Sequence, residues 1–568
     1  MTNRTFSRRA VLRSGLTLGG AAGLTAWLPG WAQPVSRGFT SPDRAASDND
    51  IVLHIARQTM IIDGRATHAI GINGSVPGPL IRLKEGRTAR MHVVNTLSED
   101  SSIHWHGLLV PALMDGVPGL SFPGIAPGQT FTAEFPVRQN GTYWYHSHSG
   151  LQEQSGLYGP IVIDPAEPDP VGYDREHVIV LSDHSPADPH TIFRRLKLGD
   201  GYYDFQKQTL AGLIAGHDQT LEERIRWGGM RMSPTDIADA TAATYTYLVN
   251  GHGPHDNWTA LFVPGERVRL RIINASSMTT FNVRLPDLPV TIVQADGQNV
   301  RPVETDEFQI GIAETYDLIV TPADRAYTLV AESVDRSGMA RATLAPRAGM
   351  VAPLPPLRRR PLATMKDMGM DMPGMSDAMG KSAMVMTMRD FWHAAGVARN
   401  PGVQTINPMP VDRTDYPGQG LDNVGHRVLT YRQLVALQPN PDRRAPTRAL
   451  TIHLTGNMAR FMWSFDGVKM SDAMAPFPFR LGERVRVTLV NDTMMAHPIH
   501  LHGHYFELVT GQGDHAPRKH TVIVQPGGTV TWDFTADNPG DWAFHCHLLY
   551  HMHAGMMRTF SVREGDRA

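Results

Sequence analysis

Gly86-Arg87-Thr88-Ala89-Arg90-Met91-His92-Val93-Val94-Asn95 decides the fold, because the chain carries the same pattern three times. It returns as Gly265-Glu266-Arg267-Val268-Arg269-Leu270-Arg271-Ile272-Ile273-Asn274 and as Gly482-Glu483-Arg484-Val485-Arg486-Val487-Thr488-Leu489-Val490-Asn491. Each copy opens on a turn glycine, alternates polar and apolar residues and ends at asparagine. A period of two marks a strand with one buried face.

A second repeat ties the first copy to the last. Pro127-Gly128-Gln129-Thr130 leads through Phe135 and Gly141 to Trp144 and His146, and Pro526-Gly527-Gly528-Thr529 leads through Phe534 and Gly540 to Trp542 and His545. Nineteen positions separate proline from histidine in both. The middle copy ends in a related stretch, Tyr316-Asp317-Leu318-Ile319-Val320-Thr321-Pro322, without histidines. Short strands with Gly/Pro turns and few convincing amphipathic helices predict an all-β chain of sandwiches. At 568 residues the chain exceeds one core and suits roughly three or four domains of ~150 residues. We read domains at 50–166, 167–345 and 426–568, with a Met-rich linker or insertion at 346–425.

The N-terminal residues 1–32 read as a targeting segment. Ser7-Arg8-Arg9-Ala10-Val11-Leu12 sets paired arginines ahead of an apolar run, and Gly30-Trp31-Ala32 resembles a cleavage site. This twin-arginine pattern predicts export of the folded protein to the periplasm. The apolar run is short for a spanning helix, so no stable membrane span is expected. Loss of Arg4, Arg8, Arg9 and Arg13 would carry the net charge from −2 to −6, which excludes a nucleic-acid-binding role.

Four histidine clusters carry the chemistry: His104-Trp105-His106, His146-Ser147-His148, His497-Pro498-Ile499-His500-Leu501-His502, and His545-Cys546-His547 followed by His551 and Met556. His-x-His on a strand sends both imidazoles to one face. Imidazole suits copper, zinc, iron and nickel alike. Cys546, the only cysteine, narrows the choice. With His551, Met556 and one distant histidine it makes a blue-copper ligand set. His545 and His547 flank it and point to the opposite face, so backbone joins a thiolate copper site to a histidine cluster. His504, His515, His520 and His553 read as solvated or satisfied histidines near a site.

The His104-Trp105-His106-Gly107 run, Tyr143-Trp144-Tyr145-His146-Ser147-His148 and His545-Cys546-His547-Leu548-Leu549-Tyr550-His551 resemble the multicopper oxidases. The export signal, Asn457-Met458 and Met462-Trp463-Ser464-Phe465-Asp466-Gly467 are similar to the copper-resistance branch of that family. The resemblance implies three cupredoxin-like Greek-key domains holding four copper ions. His497, Cys546, His551 and Met556 would form the type 1 site, and His104 and His500 the type 2 site. His106, His146 and His547 would hold one type 3 copper, and His148, His502 and His545 the other. The middle domain would be a spacer. Electrons would enter one at a time and reduce O2 to water. Asp115 aligns with a proton-relaying acid of the family, beside Cys546 as a catalytic residue. Residues 547–555 lack the carboxylate that several relatives carry there.

The run Met365-Lys366-Asp367-Met368-Gly369-Met370-Asp371-Met372-Pro373-Gly374-Met375 has no core period. Thioethers select Cu(I), so extra Cu(I) on Met365, Met368, Met370, Met372 and Met375 is expected. The electron donor is therefore expected to be Cu(I), in a copper-tolerance role with a periplasmic copper carrier as partner. A laccase-type oxidase of a small organic donor such as a phenol and a copper-sequestering binding protein are the alternatives.

Overall fold

The computed structural model describes residues 50–565 except 200, 231, 370–390, 393 and 474. The export segment and Met370, Met372 and Met375 lie outside the described residues.

Among the described residues, six sheets make three cupredoxin-like sandwiches. In the first, Arg65–Ile72, Asp50–Ile62, Thr88–Asn95 and Thr130–Pro136 form one sheet, and Ile81–Lys84, Tyr158–Asp164, Gly141–His146 and His104–His106 the other. The thrice-repeated strand holds the same place each time. Thr88–Asn95, Val268–Asn274 and Arg484–Asn491 pair parallel with Asp50–Ile62, Arg175–His184 and Arg448–Asn457, and antiparallel with Thr130–Pro136, Thr315–Val320 and Gly528–Thr535.

Alternation fixes the register. Ala89, Met91 and Val93 are buried while Thr88 and Arg90 are exposed. A one-residue slip would turn Met91 and Val93 outward at ~2 kcal/mol each. The closing asparagine caps the turn in all three copies. The side-chain amide of Asn95 donates to the carbonyls of Glu99 (2.8 Å) and Ile125 (2.7 Å). Asn274 does the same with Thr279 and Ile310, and Asn491 with Met495 and Val524. All three are fully buried, where an unpaired amide would be costly.

Two regions depart from the expectation. The middle domain carries helices at Pro189–Leu196, Leu210–Ile214 and Leu221–Gly229, capped by Asp188, Thr209 and Thr220. The described parts of 346–425 pack rather than hang free. Ala363, Met368, Val403 and Ile406 are buried, Val411–Asp412 pairs with Gly528–Thr535, and Asp367 meets Arg413 at 3.3 Å in a buried ion pair. No described helix is long and apolar enough to cross a membrane.

Candidate metal centre

Strand pairing brings the histidines together. His104 lies opposite His146, and His500 opposite His545. Trp105 turns into the first core, leaving His104 and His106 on the other face. The two outer domains meet ring on ring. His104 stacks on His502 at 3.9 Å between centroids, and His106 on His500 at 3.8 Å.

Ligand atoms converge within 4.8 Å of one another in separate groups: His104 with His106 and His500; His106 with His146 and His547; and His148 with His502 and His545. A further group is His497, Cys546 and His551. Thus the twelve residues singled out in the sequence fall into two neighbouring centres, with Met556 fully buried beside the second and its carbonyl accepting from the Cys546 amide at 3.1 Å.

His104, His146, His500, His502 and His545 engage Nδ1 and His106 engages Nε2, and in each the other nitrogen turns inward. The Nδ1–H groups of His104 and His500 donate to the carbonyls of Asp115 and His520, both at 2.7 Å. That of His502 donates to Asp115 Oδ2 at 2.8 Å, and that of His146 to Glu153 Oε2 at 2.6 Å. The remaining Nε2 atoms of His104, His146, His148, His500 and His547, and Nδ1 of His106, have no hydrogen-bond partner among the described residues. His502 Nε2 and His545 Nε2 meet only each other, at 3.0 Å. Buried nitrogens without partners are costly unless they bind something. A cluster of them with oriented far sides is what a metal requires, so the residues fit copper.

Around Cys546 the same logic holds. His497 Nε2–H bonds Thr493 Oγ1 at 2.8 Å, and His551 Nε2–H bonds Asp239 Oδ2 at 2.6 Å. Both Nδ1 atoms then face each other at 3.2 Å, lying 3.5 and 3.9 Å from Cys546 Sγ. Trp463 stacks on His551 at 3.8 Å.

Electrostatics favour a cation. Burial, then repulsion from neighbouring imidazoles, holds His106, His146, His148, His500, His502 and His547 well below the usual histidine range. Burial lowers His545 to about 4 and pushes the Cys546 thiol up. Neutral imidazoles are ready ligands, and a bound cation reverses the penalty on the thiolate.

Sequence reasoning missed three contributors. Glu153 and Asp239 orient His146 and His551, and His520, read as a bystander, packs its ring 4.9 Å from His106. Asp239 belongs to the middle domain, so that domain is more than a spacer. Gln152-Glu153-Gln154 and Asp236-Ile237-Ala238-Asp239 carry no periodic or motif signal that would have found them.

A thiolate–imidazole centre one residue of backbone away from a nest of eight imidazoles defines an oxidase that stores electrons on several metals. Three multicopper oxidase family profiles match the chain, over residues 54–168, 175–348 and 443–566, and the chain belongs to that family. It is therefore an oxidoreductase that uses O2 and an electron donor, with copper as its metal. It is 47% identical to Copper resistance protein A of Escherichia coli, covering 98% of this chain and 99% of that protein. It is 32% identical to the multicopper oxidase MmcO of Mycobacterium tuberculosis, covering 97% and 96%. Among solved structures it shares its fold with Fet3p, a multicopper oxidase that functions in iron import, at a TM-score of 0.64 and 20% identity over 90% of each chain.

Proposed function

We propose that this chain is a periplasmic copper-tolerance oxidase, exported by the twin-arginine route, that takes electrons from Cu(I) and reduces O2 to water. The observation that carries the reading is the direct backbone join, His545-Cys546-His547, between the Cys546 centre and the histidine cluster. Similarity to Copper resistance protein A supports the tolerance role.

His497, Cys546, His551 and Met556 would hold the type 1 copper. His104 and His500 would hold the type 2 copper; His106, His146 and His547 one type 3 copper; and His148, His502 and His545 the other. Bound copper supplies one-electron steps, four for each O2 reduced to water. The residues do the rest. Asp115 fixes both outer domains, accepting His104 through its carbonyl and His502 through Oδ2. Its Oδ1, 3.3 Å from His104 Nδ1, has no hydrogen-bond partner among the described residues and is the atom to carry a proton to the cluster. Glu153 and Asp239 hold the tautomers of His146 and His551.

Methionines gather beside the donor side. Met368 and Met494 pack with Trp227, and Met230, Met232, Met365 and Met458 join them. Met494 precedes His497 by three residues, so a Cu(I) held by these thioethers would sit on the loop that positions a type 1 ligand. A copper carrier would deliver to this face.

The test compares oxygen uptake with Cu(I) and with a bulky phenol before and after deletion of residues 370–388. Starting after Gly369 spares the buried Asp367–Arg413 pair. The expected result is a higher KM or lower turnover for Cu(I), partial because Met365, Met368, Met458 and Met494 remain, with phenol oxidation spared or improved. Equal effects on both donors would reduce the segment to a tether. Absence of oxygen uptake with any donor would favour a copper store.

A further inference from the structure

The strands Val290–Ala295 and Gln298–Thr305 of the middle domain are joined by Asp296 (φ 47°) and Gly297 (φ 73°). Two successive left-handed residues make a tight two-residue hairpin. Its tip is wedged between the outer domains. A Cβ on Gly297 would lie 2.2 Å from Tyr143 Oη, and one on Gly141 2.3 Å from the Gly297 carbonyl oxygen, so the tip presses on the strand Gly141–His146.

The Asp296 carboxylate turns the other way, into the third domain. Oδ2 accepts from the backbone amides of His520 (3.2 Å) and Thr521 (3.1 Å). Oδ1 accepts from the Thr315 amide at 3.1 Å and meets Lys519 Nζ at 3.0 Å. Lys519 is fully buried, with Glu314 Oε1 as its second partner at 3.1 Å.

One peptide group then links this clamp to the metal cluster. The Thr521 N–H and the His520 carbonyl belong to the same planar unit, whose N–H and C=O point in opposite directions. Pinning the N–H on Asp296 aims the carbonyl at His500, whose Nδ1–H it accepts at 2.7 Å. The Thr521 hydroxyl lies 3.2 Å from that nitrogen and 3.3 Å from His106 Nε2. His106 and His500 are the stacked pair whose ligand atoms converge with His104.

We propose that Asp296 is a positioning residue for the oxygen-reducing centre, holding residues 519–521 so that His500 and His106 keep their ligand tautomers and directions. This rests on the assignment of those two histidines as copper ligands. The middle domain thereby governs the histidine cluster without touching metal. Such outer supports are worth ~10–100-fold in metal affinity or activity.

The test uses the copper-loaded full chain. Asp296→Ala should lower type 2 copper occupancy and O2 reduction ~10-fold or more and change the type 2 paramagnetic resonance spectrum, while the blue absorption of the Cys546 site persists. Asp296→Asn keeps an acceptor for the two amides but sets its NH2 against the Thr315 amide and Lys519, and should recover part of that loss. Should Asp296→Ala not fold, Thr521→Val, which removes only the bridging hydroxyl, should still perturb the type 2 spectrum. An unchanged type 2 spectrum and copper content in both Asp296→Ala and Thr521→Val would overturn the proposal. So would equal loss of both centres with no recovery in Asp296→Asn. His500→Ala separates the two readings: if it keeps type 2 copper, the ligand assignment itself fails.

Discussion

The middle domain and its neighbours are built on one frame but fill it differently. The matching cross-strand pair is His104 with His146 in the first domain and His500 with His545 in the third. In the middle domain it is Asn282 with Glu332. Where the outer domains bury imidazoles, the middle one buries charge. Glu332 takes Arg358 Nε at 2.5 Å and Arg284 at 3.2 Å, and Glu307 takes Arg358 at 2.6 Å. Both carboxylates are fully buried. A buried carboxylate needs partners. Here they are protein cations, Arg284 from the middle domain and Arg358 from the segment that follows it, whereas the outer two domains leave nitrogens that a metal completes.

Breaking the metal side should give the largest effects. Cys546→Ser is expected to abolish both the blue absorption and turnover with any donor, measured by visible spectroscopy and oxygen uptake, with far-ultraviolet circular dichroism unchanged. Retained turnover would remove Cys546 from the electron path. His106→Ala or His148→Ala should stop O2 reduction yet keep the blue colour; loss of colour with oxygen reduction intact would reverse the division of ligands. Asp239→Ala should weaken copper retention at the Cys546 site ~10-fold or more, read by chelator competition, and leave the cluster loaded.

The buried Glu307 and Glu332 carboxylates, which reach no imidazole of the two centres, should respond in stability alone. Arg358→Met leaves Glu307 and Glu332 with Arg284 as their remaining arginine and should cost about 3 kcal/mol in chemical unfolding, with copper content unchanged. A loss of copper there would erase the contrast. The smallest effect concerns the junction of the first two domains, where Glu176 bridges Arg82 and Arg271 (2.8 Å). Burial opposes its charge, but Arg271 and Arg82 hold its carboxyl at about 2, below the usual 4.5. A depressed carboxylate contributes stability that is complete above pH 4.5 and lost as pH falls toward 2. Glu176→Gln should flatten that part of the unfolding profile.

What was legible in the sequence was what repeats or alternates. The strand pattern ending at Asn95, Asn274 and Asn491 placed three sheets, and His-x-His placed pairs of imidazoles on one face, because both depend on local geometry. The capping box Thr220–Glu223 also stood in the sequence but belonged to a nine-residue helix too short to show a period. Asp239 and Asp296 left no local mark. They act on residues more than two hundred positions away, and only folding brings them there. The methionine stretch looked uniform, yet Met368 is buried against Trp227 while Met370 lies beyond the described residues.

The split of the histidine nest between the two outer domains also bears on how the molecule is made. His104, His106, His146 and His148 leave the ribosome early, whereas His500, His502, His545 and His547 come near the end of synthesis. A chain interrupted anywhere between them has half of the nest and completes none of its three-histidine groups. Metal capture by the nest is thus a certificate of a finished polypeptide. A proteolytic nick that let the ends drift apart would leave a blue but oxygen-inert protein, whose defect colour alone would not reveal.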